Sequence, residues 1–275
     1  MSSVNSVISA LSQLLGENRA LTGGAIGADY AHDELPGGAA FTPDMVCVAQ
    51  STEDVSAVLR ICNEADVPVT VRGAGTGKAG GSVPIKGGVV LSVKEMDKVL
   101  GIDEAAKTIT VQSGVLLQDV KSEAAKHGLY YPPDPGEKTA TIGGNASTGA
   151  GGPCAVKYGS TRDYIADAVI VLADGSIAKL SDKPEYAEVI GSEGTLGIIT
   201  ELTLRLLDKP AADVTLLLPF MDAEGCIAAA DKIKAAGFEP AVLEYLDTDI
   251  VEFSGKVTGN PVFPVEMDGE RVGAT

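Results

Sequence analysis

Apolar residues recur at helical spacing at Val4, Val7, Ile8, Leu11, Leu14 and Leu15, and Gly16 closes the run, which predicts an amphipathic helix over 4–15. A stretch rich in Gly and Ala then runs to about residue 43 without periodicity. MVCVAQS (45–51) reads as a strand, and Thr52 reads as the cap of a helix reaching Ala65, with Val55, Val58, Leu59 and Cys62 on one face. VPVTVR (67–72) and GGVVLSV (87–93) read as short buried strands, 97–103 and 107–113 as strands around the turn DEAA, and 115–127 as a helix closed by Gly128. The segment 130–153 is expected to be neither regular helix nor sheet. ADAVIVLADGSIAKL (166–180) predicts a hairpin about Asp174-Gly175, and 191–207 is expected to end in a strand carrying Ile199, Leu202, Leu204 and Leu206. Lys209-Pro210 marks a boundary, followed by a strand at 214–219, a helix at 222–236 closed by Gly237 and a strand at 241–246. From Ser254 onward no clear period remains. A single strand–helix–strand unit rarely makes a stable sheet, so the end reads as an incomplete second domain.

Composition narrows the class. With 45% hydrophobic residues the 275-residue chain is globular, and 33 glycines imply many tight turns. The formal net charge of −17 argues against nucleic acid or an anionic membrane surface as partner. Residues 211–275 hold 12 acids and 4 bases, which makes an acidic face there, either a solubility device or a docking surface. Cys47, Cys62, Cys154 and Cys226 form no CxxC pair, so neither a zinc site nor a redox pair is expected; reduced, buried thiols in a cytoplasmic protein are. The opening MSSVNSVISALSQLL lacks the basic start of a signal peptide, and no run of about 18 apolar residues predicts a membrane span.

The chemistry concentrates in VRGAGTGKAGG (71–81). Gly75-x-Gly77-x-x-Gly80 is a literal dinucleotide fingerprint, but SVPIKGGVVLSV follows it where the fingerprint needs a helix. A P-loop fails as well, because Arg72 stands where the first Gly belongs and Ala79 where Ser or Thr belongs. What remains is a flexible surface loop or an anion nest, in which glycines at positive φ turn successive N–H groups into one concavity, with Arg72, Thr76 and Ser82 beside them. Two further Gly/Ser/Thr-rich stretches, YYPPDPGEKTATIGGNASTGAGGPCAVKYG (130–159) and GSEGTLGII (191–199), favour one long ligand wrapped by backbone.

Together RGAGTGKAGGSVP, YYPPDPGEKTATIGGNASTGAGGP, KYGSTRDYI, VLADG and GSEGTLGIITELTLRL resemble the FAD-linked oxidases of the vanillyl-alcohol oxidase type, and within them the glycolate oxidase D-subunit and D-lactate dehydrogenase branch. The resemblance covers about 40–210, more weakly to about 253. It implies an α+β fold: an N-terminal helical segment (1–40), a two-lobed FAD-binding domain (41–210) and the start of an incomplete α+β cap domain (211–275). It implies that Arg72, Gly73, Ala74, Gly75, Thr76 and Gly77, with Gly81 and Ser82, wrap the pyrophosphate. Asp134, Pro135, Thr141, Gly143, Gly144 and Asn145 then line the flavin and its chain, and Ser147, Thr148, Gly151, Tyr158 and Gly159 continue that wall. Glu193, Gly194, Ile198 and Ile199 take the adenine and ribose end. Read without the resemblance, Arg72 also fits a surface ion pair, Tyr158 core packing and Asn145 a turn.

Some relatives attach flavin through a His in the glycine loop; here Thr76 occupies that place, so the expected FAD is noncovalent. His32 and His127 are the only histidines; His127, at a helix end before Gly128, reads as structural, and His32 as structural or solvent-exposed. The implied activity is oxidation of a small 2-hydroxy acid with hydride transfer to flavin, the electrons passing to an electron-transferring flavoprotein, an iron–sulfur subunit, a quinone or oxygen. Because no His follows residue 127 and only Arg271 follows Arg205, no catalytic residue is assigned and no metal is expected. The alternative is an FAD-binding or partner-docking module without turnover of its own.

Overall fold

The computed structural model describes residues 2–260, 263 and 265–275. They fall into two compact units, one running to Gly152 and resuming over Ser160–Lys209, the other made of Pro153–Gly159 and the chain from Pro210.

The first unit is α+β and has two lobes. Helix α1 (Ser2–Leu15) and strand β1 (Ala20–Thr22) lead to β2 (Met45–Val48), α2 (Thr52–Glu64), β3 (Val69–Arg72) and β4 (Val89–Ser92). These strands form a sheet in the order β1-β2-β4-β3, antiparallel at β1 and parallel elsewhere. Strands β5 (Val99–Asp103) and β6 (Thr108–Gln112), helix α3 (Leu117–Lys126), β7 (Leu129–Tyr130), α4 (Ile142–Thr148), β8 (Ile165–Val171), β9 (Ile177–Lys179), β10 (Ile198–Arg205) and β11 (Leu207–Asp208) follow, with α5 (Ala155–Tyr158) of the second unit falling between α4 and β8 in the chain. The second sheet is antiparallel in the order β5-β6-β10-β8-β9, and β7 pairs with β11. Helix α2 packs on both sheets, touching β4 on one side and β8 and β10 on the other. Val55, Val58 and Cys62 on its buried face join Val7 and Leu11 of α1, Met45 and Leu91 of the first sheet and Val171 and Ile198 of the second in one core.

Several expectations need correction. The cap of α2 is Ser51, whose hydroxyl accepts from the Asp54 amide at 3.1 Å. Thr52 instead lies inside the helix and donates its hydroxyl to Thr200 of β10 at 3.0 Å, in buried surroundings. The segment 130–153 does contain a regular element, α4, which ends at Gly149 in the left-handed conformation (φ 62°). Three-residue β1 lies in the stretch without periodicity, too short to show any.

The second unit holds α5, α6 (Ala223–Ala235), α7 (Thr248–Thr258) and a hairpin of β12 (Glu266–Met267) and β13 (Glu270–Arg271). The expected strands at 214–219 and 241–246 do not form; Phe220 and Asp247 make only single bridges to Ala274. An isolated strand gains nothing from its β-propensity without a ladder to join. Helix α7 was not expected; Asp247 caps it by accepting from the Asp249 amide at 2.9 Å. The hairpin turns at Asp268 (φ 53°) and Gly269 (φ 83°), a pair suited to a type I′ turn. Among the described residues no helix is long and apolar enough to cross a membrane.

Two outcomes follow from this core. Thr200 accepts from Thr52 and donates to the Val169 carbonyl at 3.2 Å, so Thr200→Val strands a buried hydroxyl. The expected cost is about 1–3 kcal/mol in urea unfolding, with the double variant Thr52→Val/Thr200→Val less destabilised than the sum of the singles; strict additivity would contradict the pair. Burial, with a smaller contribution from neighbouring Cys62, raises the Cys47 thiol from 9.0 to about 12, and burial raises Cys62 to about 11. Both thiols should resist iodoacetamide at pH 8 until the protein unfolds. A raised folded pKa gives stability that is full below pH 9 and lost as the pH climbs from 9 towards 12, where the unfolded thiols ionise first. Urea midpoints measured between pH 8 and 10.5 check that sign.

Candidate functional site

A cavity of about 680 Å³ lies within the first unit, between the glycine run, α4 and the start of β10. The run leaves the end of β3 and, from Gly73 to Gly88, contains no helix. Gly73, Ala74, Gly75, Thr76, Gly77, Gly81 and Ser82 all line the cavity. Among the described residues none of the backbone N–H groups of residues 73–79 has a partner within the protein. A row of donors left open on a cavity wall is a site for acceptors from outside the chain.

Glycine is required at two places in the run for different reasons. A Cβ on Gly73 would fall on the hydroxyl of Thr141, so the run can lie against α4 only without a side chain there. Gly75 adopts φ 78°, and a Cβ would strike the Arg72 guanidinium. Arg72 itself does not line the cavity. Its guanidinium is buried, donates to the His32 carbonyl at 2.8 Å, lies 3.4 Å from the Ser82 hydroxyl and sits 5.8 Å over the Tyr30 ring. Burial lowers its pKa, opposed by Asp29, Tyr30 and Asp33. A desolvated guanidinium needs fixed acceptors, and this one has the His32 carbonyl and the Ser82 hydroxyl.

The opposite wall is α4 with its approaches. Thr141 caps the helix, accepting from the Gly144 amide at 3.3 Å. The Ile142 amide donates to Val115 O and the Gly143 amide to Ser113 O, both at 2.8 Å, so the first helical turn keeps no spare donor. Thr141, Gly143 and Gly144 therefore contribute closeness rather than hydrogen bonds; a Cβ on Gly143 would come within 2.5 Å of Ser113 Cβ. Asn145 is different. It is 4% exposed, lines the cavity, and its Nδ2 has no partner. A buried amide donor with nothing to donate to is costly unless a ligand supplies the acceptor. Ser147 and Thr148 also line the cavity, although the Thr148 hydroxyl is committed to Gly144 O at 3.0 Å.

Pro135 lines the cavity, whereas Asp134 does not; its carboxylate takes the Lys121 ammonium at 2.5 Å. Gly151 is exposed and outside the lining, and Tyr158 and Gly159 belong to the second unit. On the third side, Glu193, Ile198 and Ile199 line the cavity. Glu193 holds φ 56°, a conformation unusual for a side chain of its size, and its amide donates to Ser147 O at 2.8 Å. Gly194 (φ 79°) is outside the lining, packed so closely that a Cβ would lie 2.5 Å from Val71 Cγ1. Sequence reasoning missed Asp33 and Glu34, which come from the aperiodic stretch before β2, as well as Lys78 and Glu137. Hydrogen bonds from the Thr139 hydroxyl and amide, against desolvation, hold the Glu137 carboxyl below its usual range, with Lys78 adding a smaller pull. Among the described residues no cluster of three or more His, Cys, Asp or Glu side chains could hold a metal.

Open backbone donors, an orphaned buried amide and glycines packed at contact distance fit a long anionic ligand with flat apolar parts, and FAD has those parts. A family profile described as FAD binding domain matches residues 43–181. The chain is 43% identical over 268 residues to a D-lactate dehydrogenase of Anaerostipes hadrus, covering 94% of this chain and 56% of that protein. It is 38% identical over 256 residues to the glycolate oxidase subunit GlcD of Bacillus subtilis, covering 87% of this chain and 54% of the relative. It thus spans about half the length of the relatives it matches. Among solved structures, 6-hydroxy-D-nicotine oxidase of Arthrobacter nicotinovorans superposes with a TM-score of 0.61 at 26% identity, over 70% of this chain and 42% of that one. An alkyldihydroxyacetonephosphate synthase shares the fold with a TM-score of 0.80 at 21% identity, over 90% and 47%. The chain belongs to the FAD-binding-domain family of flavoproteins with the two-lobed fold of the vanillyl-alcohol oxidase type, and its cofactor is FAD.

Proposed function

We propose that the cavity of the first unit is the FAD site and that the protein acts as an FAD-dependent oxidoreductase converting a small 2-hydroxy acid, of the D-lactate or glycolate kind, to the 2-oxo acid. The observation that carries the site assignment is the row of unclaimed N–H groups over residues 73–79, beside the unpartnered Asn145 Nδ2. Bound FAD would supply the two-electron acceptor for the hydride of the substrate's α-carbon. The part of the chain's own residues is to bind and orient. The amides of Gly73–Gly77, with Gly81 and Ser82, would take the pyrophosphate. Pro135, Thr141, Gly143, Gly144 and Asn145, continued by Ser147 and Thr148, would bound the flavin and its chain, and Glu193, Ile198 and Ile199 the adenosine end. The run has no His or Cys between Arg72 and Ser82, which supports noncovalent attachment. The substrate class rests on relatives named D-lactate dehydrogenase and glycolate oxidase subunit. The same reading takes an electron-transferring flavoprotein or an iron–sulfur subunit as acceptor and the cytoplasm as location, in keeping with the reduced Cys47 and Cys62.

One observation favours a narrower role for residues 1–275 taken alone. Binding a carboxylate substrate and removing its hydroxyl proton need a cation and a base. Beyond Arg205 the sole arginine is Arg271, and it is tied to Asp249 at 2.6 Å and to Glu252 at 3.4 Å. Both histidines face other groups, His127 the Glu104 carboxylate at 2.6 Å and His32 the Asp33 carbonyl at 3.1 Å. The cavity lining offers Lys78 as a cation but no histidine to take the proton, which favours holding flavin over turning over substrate.

Two measurements test this reading. Gly73→Val places a branched side chain on the Thr141 hydroxyl, and the purified variant should lose its flavin absorbance while wild type is yellow. A variant with wild-type flavin content would overturn the site assignment. Acid precipitation of residues 1–275 should release all flavin into the supernatant. D-lactate or glycolate should leave that flavin oxidised under anaerobic conditions, whereas dithionite bleaches it; in the polypeptide from the complete reading frame, a 2-hydroxy acid should bleach it directly. Failure of every 2-hydroxy acid with the complete polypeptide would remove the substrate class and leave the flavin-binding module.

A further inference from the structure

The glycine run does not hold its shape unaided. Its free side is fastened to residues 30–35, which lie upstream of the segment matched by the family profile (43–181). Asp33 is 8% exposed and lines the cavity. One of its carboxylate oxygens accepts from the Gly80 amide at 2.8 Å, the other from the Leu35 amide at 3.0 Å. The next residue, Glu34, donates its amide to the Gly77 carbonyl at 2.8 Å. At the base of the run, Arg72 donates to the His32 carbonyl and covers the Tyr30 ring. The strap thus grips the run at Arg72, Gly77 and Gly80.

We propose that Asp33 is a positioning residue of the FAD site, which fixes the register of the pyrophosphate by claiming the Gly80 amide and leaving the amides of residues 73–79 as the open donors. This rests on the FAD reading of the cavity. The charge placement gives the reason. Asp33 Oδ2 lies 3.7 Å from the position a Cβ on Gly77 would take, so its negative charge borders the open part of the nest. The carboxylate stands against Gly77 and Gly80, where the Gly80 amide is already bonded, and the bare amides farthest from its charge are those of Gly73–Thr76. Gly80 holds φ 80° where its amide meets Asp33, and the Leu35 amide holds the other oxygen of the same carboxylate. The strap acts as both clamp and electrostatic stop.

The test uses FAD itself as probe, on wild type, Asp33→Ala and Asp33→Asn, each stripped of flavin and titrated by fluorescence quenching. The Ala variant loses both bonds and should bind FAD at least tenfold more weakly. Asn keeps one acceptor oxygen, for one of the two amides, and should fall between. The melting temperature of the flavin-free proteins should move by only a few degrees, and in wild type FAD should slow hydrogen exchange at Leu35 and Gly80, a protection missing in Asp33→Ala. A purely structural Asp33 would lower the flavin-free melting temperature without that FAD-dependent loss of protection, and this pattern would overturn the proposal. So would FAD affinity in Asp33→Asn equal to or tighter than wild type, a result that stands even where the Ala variant does not fold. Wild type that takes up no FAD would overturn the cofactor reading itself; wild type that binds FAD beside unaffected variants would overturn the strap alone.

Discussion

The cavity depends on one close approach, that of Gly73 to Thr141. The Thr141 hydroxyl occupies the place where a side chain on residue 73 would begin. The same hydroxyl accepts from the Gly144 amide, and the Thr141 carbonyl accepts from the Asn145 amide at 2.9 Å. One side chain, 2% exposed, therefore sets the distance between the two walls, starts α4 and fixes the backbone that carries the orphaned amide. Interiors are packed too densely to absorb a misplaced methyl at such a point.

An acidic protein that takes an anionic cofactor must solve an electrostatic problem, and backbone solves it here. The lining includes Asp33, Glu34, Glu137 and Glu193 against Lys78. The buried Arg72 guanidinium lies outside the lining and donates to the His32 carbonyl. Amide donors carry partial charges already fixed in direction by the chain, and they need no long side chain to be ordered at binding. The acids are partly spoken for, Asp33 by two amides and Glu137 by Thr139.

How far the sequence can be read follows from where periodicity lives. Helices α1 and α2 and strands β4 and β10 bury one stripe or both faces over many residues, so their patterns survive in the sequence and match the structure closely. Helix α4 has seven residues, among them Gly143, held against Ser113, and Gly144, held against the Thr141 hydroxyl, so packing rather than helix propensity sets its composition. Its tertiary packing overrides the local signal. The strands expected at 214–219 and 241–246 show the converse, since an apolar run without a neighbouring ladder makes no more than isolated bridges at its end, Phe220 and Asp247 to Ala274 and Leu246 to Thr275. Within the site, the glycines and the small residues of 141–148 were legible because close approach dictates residue type. The direction of Arg72 was not, because it depends on a carbonyl and a ring forty residues upstream. Asp33 was invisible for the same reason: a single carboxylate in an aperiodic stretch carries no mark of the amides it will meet.

The order of the second sheet has a consequence for how the site comes into being. Strand β10 lies at the centre, with β6 on one side and β8 on the other, yet it is the last of the five to be made. Ile198 and Ile199 at its start supply one wall of the cavity. Until residue 205 has left the ribosome, the outer pairs β5–β6 and β8–β9 have no common partner and the wall does not exist. Such long-range closure is slow, since the entropy of bringing distant segments together precedes any reward from their pairing. The nest of residues 73–79 is thus synthesised more than a hundred residues before its cavity can close. The complete cavity, with Ile198 and Ile199 in its wall, is accordingly available only once the central strand of the second sheet has been made.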